Sequence, residues 1–301
     1  MEKESLKIVV IGMGKYTIGC LNAILEKEYN VVGIIQSVRK KQEYSLWDRL
    51  TIEKGSLKKF AYTYKIPYMY TDNLNDNKCI DFLKSVDCNL ICVASAGQLL
   101  KGEIINFPSN GVMNAHSSLL PEYRGANPSY WVIRNQEKAG GVTIHYIDDG
   151  MDSGDVLIQK KFEIPYKYSY KEYDDKIAKI AGECYLEVLD LLCGDNLCPQ
   201  KQIKDDGFIA KRIQDKDYNI DYNLYSRKEV FHYLFGTDAL NHINKSILFQ
   251  YEAIDPCDEI KGKYSIQCKD GLVYYNRFFS LNLFIRKMAG LLLGKIRIKA
   301  I

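Results

Sequence analysis

The sequence predicts an α/β fold: a Rossmann-like, mostly parallel sheet with helices on both faces, followed by a smaller C-terminal α+β or β-rich domain. Three observations carry this. The chain opens with a β-branched run at 6–11, a Gly12-Met13-Gly14 turn and a helical stretch at 17–28, the first unit of such a sheet. Short apolar runs and helical stretches then alternate as far as Pro199. Beyond it the texture changes to short, tyrosine-rich strands, which divides the 301 residues into domains at 1–203 and 204–301.

The second strand, 31–36, ends without the acidic residue that would hold a ribose, and the third glycine falls at Gly19, off the dinucleotide fingerprint. The opening turn is therefore read as close helix–sheet packing rather than as an NAD site. Residues 38–59 form a basic connection with seven Lys and Arg against three acids, continuing from Trp47 into a helix that ends near Tyr64. It is either solvated helix surface or a place for a phosphate. A third strand at 68–70, a helix at 76–84 and a buried strand at 89–94 follow. The fifth strand is 111–115, a helix with Trp131 in the core occupies 128–135, and strands at 142–147 and 156–164 continue the sheet. Tyr173, Ile177, Ile180, Cys184, Val188 and Leu191 recur at steps of three and four, the apolar stripe of a helix over 170–192. Further on, 231–235 reads as a helix ended by Gly236-Thr237, and 264–269 and 272–275 as a hairpin about Asp270-Gly271. The final 24 residues hold five Lys and Arg and no acid. They form either the last packed element of the small domain, in a homodimer interface, or an interfacial amphipathic helix.

Bulk properties narrow the class. With 47% hydrophobic and 26% charged residues the composition is that of a globular protein, and a net charge of +3 does not demand a nucleic-acid partner. Nine cysteines without a Cys-x-x-Cys pair argue for a reducing, cytoplasmic setting and against a zinc site. A charged N-terminus running straight into a strand predicts no signal peptide, and no apolar run reaches roughly eighteen residues, so no membrane span is expected.

Chemistry concentrates between residues 114 and 155. Asn114 and His116 lie two apart at the end of a strand, so their side chains share a face. Asp152 follows the next strand in a Gly-rich turn. An amide donor for an oxyanion, a group that titrates near neutrality and an acid to orient it suit carbonyl transfer. A polar structural turn would use the same residue types. His145, on a strand beside acids, is either a supporting group or a packed strand histidine.

The run Asn114-x-His116-x-Ser118-Leu119-Leu120-Pro121-x-Tyr123-Arg124-Gly125, with Gly141-Val142-Thr143 and Asp152-x-Gly154 downstream, resembles the folate-dependent formyltransferase family. The resemblance implies 10-formyltetrahydrofolate as formyl donor, an amine as acceptor, no metal, and Asn114, His116 and Asp152 as the catalytic residues. It implies folate contacts at Ala94, Gly97, Gln98, Leu99, Asp148 and Asp149, and acceptor contacts at Tyr123, Arg124 and Gly125. Asp217-Tyr-Asn-Ile-Asp221-Tyr222 resembles an element that follows the catalytic domain in the methionyl-tRNA and nucleotide-sugar members. Trp131-Val-Ile-Arg-Asn with Gly141-Val-Thr-Ile-His145 is more like the nucleotide-sugar branch, especially the enzyme acting on UDP-4-amino-4-deoxy-L-arabinose. Residues 204–277 carry eleven Lys and Arg against twelve Asp and Glu, a poor surface for tRNA phosphates. The last hundred residues match neither branch well. The expected acceptor is thus a nucleotide-linked amino sugar destined for surface polysaccharide such as the O-antigen of lipopolysaccharide. Methionyl-tRNA is the alternative, with 38–59 and the basic tail as a split footprint, and a catalytically silent folate-binding relative comes third.

Overall fold

The computed structural model describes residues 2–37, 57–203, 207–244, 249–258 and 260–280. The strands β1 (Ile8–Gly12), β2 (Val31–Ser37), β3 (Tyr68–Thr71), β4 (Leu90–Ala94), β5 (Val112–His116), β6 (Arg124–Gly125), β7 (Ala139–Tyr146) and β8 (Val156–Glu163) occur in that chain order. All but the two-residue β6 join one seven-stranded sheet, ordered β3-β2-β1-β4-β5-β7-β8. The first five pair in parallel, whereas β7 and β8 are added antiparallel.

Every residue of β1 and β4 is buried, as a central parallel strand requires. Alternate residues serve opposite faces. Ile8, Val10, Leu90 and Cys92 join one apolar cluster, with α1 (Gly14–Glu26) and α2 (Leu57–Tyr64). Val9, Ile11, Ile91 and Val93 join a second, under α3 (Asn77–Ser85) and α4 (Glu103–Asn106). The doubly covered sheet expected from the sequence is present.

The opening turn is built for packing. A Cβ on Gly12 would fall 2.0 Å from the Ala94 carbonyl oxygen, so only glycine lets β1 and β4 close up here. Thr17 fills the adjoining space and donates to that same carbonyl at 2.7 Å. Connections leave β1 toward β2 and β3 on one side, while β4 and β5 lie on the other, which opens a crevice at the carboxyl ends of β1 and β4.

Two further helices frame that crevice, α5 (Pro128–Arg134) and α6 (Tyr170–Cys193). Ser169 and Glu172 form a capping box that starts α6. Its buried line runs through Tyr173, Ile177, Ala181, Cys184 and Val188. The Tyr185 hydroxyl donates to the Val93 carbonyl at 2.6 Å, fixing the helix to the sheet beneath the crevice.

After α6 the chain returns across the crevice. The short β9 (Ile209–Ala210) pairs in parallel with β6. The Trp131 indole N–H donates to the Lys211 carbonyl at 2.7 Å, and Trp131 is core, as the sequence suggested. Next come α7 (Arg227–Thr237) and α8 (Ala239–Asn244), then an antiparallel sheet of β10 (Phe249–Ala253), β11 (Tyr264–Cys268) and β12 (Gly271–Phe279), ordered β10-β12-β11. The expected hairpin about Asp270-Gly271 is β11–β12. Helix α7 is longer than the apolar run 231–235 implies, because a Ser226–Glu229 capping box starts it earlier. Its end is set by Asp238 at φ 56°, with Gly236 and Thr237 still helical and buried. Residues 38–56 and the tail from 281 lie outside the described residues. Among the described residues no helix is long and apolar enough to cross a membrane.

Candidate active site

Strand β5 delivers Asn114 and His116 to the crevice, as their spacing predicted. Both line a cavity of about 750 Å³ together with Gly97, Leu99, Gly125 and Asp152. That size lies within the range of small-molecule sites. Antiparallel pairing of β5 with β7 sets Asn114 directly opposite His145, so the two side chains meet on one face.

Asp152 joins them from the loop after β7. Its backbone is left-handed, φ 50°, and the Gly125 amide donates to its Oδ2 at 2.8 Å. His116 Nδ1 lies 3.7 Å from Oδ2 and His145 Nε2 lies 3.7 Å from Oδ1, so one carboxylate stands between two imidazoles. Both separations exceed hydrogen-bond reach. The expected orienting of His116 by Asp152 is therefore not made through a direct hydrogen bond. The ring is held from its other side, where Nε2 donates to the Tyr123 carbonyl at 2.8 Å.

His145 is 1% exposed. Its Nδ1 donates to the Tyr146 carbonyl at 2.8 Å, which leaves Nε2 as an acceptor, and Nε2 takes a hydrogen from Asn114 Nδ2 at 3.0 Å. Burial pulls the imidazole down to about 4, outweighing the opposing pull of Asp152 and keeping the ring neutral at pH 7.

The remaining expected contacts divide. Gly97, Gln98 and Leu99 line the cavity, beside Ser95 at φ 65°. Gln98 also braces the loop, donating to the Asp72 carbonyl at 2.5 Å and accepting from the Leu74 amide at 3.2 Å. Ala94 lies outside the lining, fully buried in β4 with its carbonyl accepting from Thr17. Asp148 lines the cavity, but its Oδ1 caps its own loop through Gly150 and Ser153. Asp149 is exposed and outside the lining.

Of the three expected acceptor contacts only Gly125 lines the cavity. The Tyr123 side chain is buried the other way, donating to Glu137 Oε1 at 2.5 Å, because φ 60° turns the carbonyl rather than the ring toward His116. Arg124 donates to Gln202 Oε1 at 2.7 Å, and Gln202 in turn donates to the carbonyls of Asp152 and Gly154 at 2.9 and 2.7 Å. This brace, and the presence of Arg212 and Ile213 in the lining, carry no local sequence signal, since each depends on chain returning from far away. Among the described residues no group of three or more His, Cys, Asp or Glu is arranged to hold a metal.

Residues 6–189 match the family model described as formyl transferase, and the chain belongs to that family. It is accordingly a folate-dependent formyltransferase. The methionyl-tRNA formyltransferase of Clostridium tetani is 30% identical over 285 residues, covering 89% of this chain and 90% of that protein. The methionyl-tRNA formyltransferase of Fusobacterium nucleatum is 28% identical over 251 residues, 82% of this chain and 79% of that protein. A sugar 3N-formyl transferase solved with dTDP and 5-N-formyl-THF shares the fold, with TM-score 0.64 at 20% identity over 92% of this chain and 98% of that one.

These relatives correct the expected acceptor. Methionyl-tRNA formyltransferases match most of the chain, so the amino-sugar reading and its polysaccharide setting do not stand. A match over 89% of the chain also runs well into its last hundred residues, which are therefore not foreign to that branch. The charge count misled because it sums faces that need never meet a ligand, whereas phosphate contacts require only local cations.

Proposed function

We propose that this protein transfers the formyl group of 10-formyltetrahydrofolate to the amino group of methionyl-tRNA. The observation that carries the acceptor is the similarity to methionyl-tRNA formyltransferases over up to 89% of the chain. Convergence of Asn114, His116 and Asp152 on one cavity supports the chemistry. The wall at 95–100, where Ser95, Ala96 and Gly97 leave room beside the cavity, suits a flat pterin.

In this reading the amine nitrogen attacks the formyl carbon, the bond from that carbon to the folate nitrogen breaks, and a proton from the amine ends on that nitrogen. The formyl oxygen carries negative charge meanwhile. Asn114 Nδ2 donates to it, since one of its two hydrogens is free of His145. His116 has its Nε2 committed to Tyr123, so Nδ1 serves the reacting groups, with the Asp152 carboxylate alongside to offset a proton there. Residues 1–203 form the catalytic domain. The segment from 207 adds Arg212 and Ile213 to the cavity lining. The setting is the cytoplasm.

Formylation of methionyl-tRNA in the presence of 10-formyltetrahydrofolate, with His116→Ala as control, tests the proposal. Transfer that disappears in the variant supports it, and absence of transfer with the unaltered protein overturns it.

A further inference from the structure

Among the described residues the Asn114 side chain has one hydrogen-bond partner, a histidine on the neighbouring strand. An asparagine amide has two ends of similar shape and opposite character: an NH2 that donates and an oxygen that accepts. Only the NH2 end can stabilise an oxyanion, so the direction of the amide decides whether Asn114 is useful or repulsive to the reaction.

We propose that His145 is a positioning residue that sets this direction, presenting Nε2 as an acceptor that binds one Asn114 hydrogen and leaves the other for the substrate oxygen. The geometry runs back through two fixed points. The Tyr146 carbonyl accepts from Nδ1 at 2.8 Å, which determines which ring nitrogen carries the hydrogen. The β5–β7 register then places the bare Nε2 3.0 Å from Asn114 Nδ2. A flipped amide would set its oxygen against the Nε2 lone pair, with the Asp152 carboxylate 3.7 Å from the same ring atom. Burial supports the arrangement, because it keeps the ring in the neutral form that has a lone pair to offer. His145 touches no reacting atom in this account, so it acts through Asn114 alone.

The inference rests on the reading of Asn114 as the oxyanion donor, and a double-mutant cycle separates the two. His145→Leu removes the acceptor; His145→Gln keeps an acceptor oxygen on a flexible stem. Each is made in the unaltered protein and in Asn114→Ala, with circular dichroism and folate binding as controls for folding. We expect His145→Leu to lower kcat for formyl transfer to methionyl-tRNA at least tenfold with little change in KM, and His145→Gln to recover most of the loss. In the Asn114→Ala background both variants should change kcat less than about twofold, because the group they position is gone. Losses that multiply in the double variants would overturn the positioning role and leave the Asn114 reading intact. An Asn114→Ala protein as active as the original would sink the Asn114 reading itself. Should the leucine variant fail to fold, His145→Ala in the same two backgrounds takes its place: a loss of more than tenfold that persists beside Asn114→Ala overturns the proposal, and a loss confined to the unaltered background and largely recovered by His145→Gln upholds it.

Discussion

The Gly125 amide donates to Asp152 Oδ2 at 2.8 Å and so ties β6 to the loop after β7. This bond joins the two halves of the site, which lie 27 residues apart in sequence. It holds a left-handed Asp152 where both of its oxygens face imidazoles. Gly125 itself has φ 119°, and a Cβ there would lie 2.7 Å from the Ala210 carbonyl oxygen. Gly125→Ala should therefore cost about 1–3 kcal/mol of stability and lower kcat. Thermal unfolding and steady-state kinetics check both effects together.

Asn114→Ala should reduce kcat by about a hundredfold to a thousandfold, the usual consequence of losing one donor to a developing oxyanion. Folate affinity should hardly move, because the expected folate wall is the separate loop at 95–100. Equilibrium folate binding measured beside kcat distinguishes this from a collapsed site.

Tyr123→Phe should leave both KM values alone and cost about 1 kcal/mol of stability. The lost bonds are the hydroxyl's donation to Glu137 and its acceptance from Asn135 Nδ2, while the carbonyl that holds His116 remains. A large rise in KM for the acceptor would restore the substrate-contact role that the sequence suggested.

Stability should depend on pH through His145, whose folded value falls from 6.5 to about 4. Between those values the unfolded chain binds a proton that the folded protein refuses. Stability is therefore fully present above 6.5 and is lost as pH falls toward 4, by about 3 kcal/mol in all. His232, buried against the Ile133 carbonyl and also lowered, adds to the same slope. Urea unfolding at pH 7 and pH 5 should show the decline, and His145→Gln should flatten it.

Much of this site could be read from residue order alone. Asn114 and His116 share a strand face, and period two suffices to pair them; the turn holding Asp152 announces itself through glycine. The Gly12 turn was likewise legible, since a missing ribose acid and a displaced Gly19 already pointed to packing. Local pattern does not give register, and register is what puts His145 against Asn114. Nor does it give backbone handedness: Tyr123 was expected to contact the acceptor, yet φ 60° turns its carbonyl toward His116. Gln202 braces Asp152 across a separation of 50 residues, which no spacing argument reaches. The acceptor was misread for a related reason, because segment charge carries no information about which cations share a surface.

Initial rates with methionyl-tRNA and with nucleotide-linked amino sugars, each with 10-formyltetrahydrofolate, test the central claim most directly. The account predicts formylation of methionyl-tRNA, abolished by His116→Ala, and negligible turnover of the sugars. Efficient formylation of an amino sugar with methionyl-tRNA untouched would contradict it.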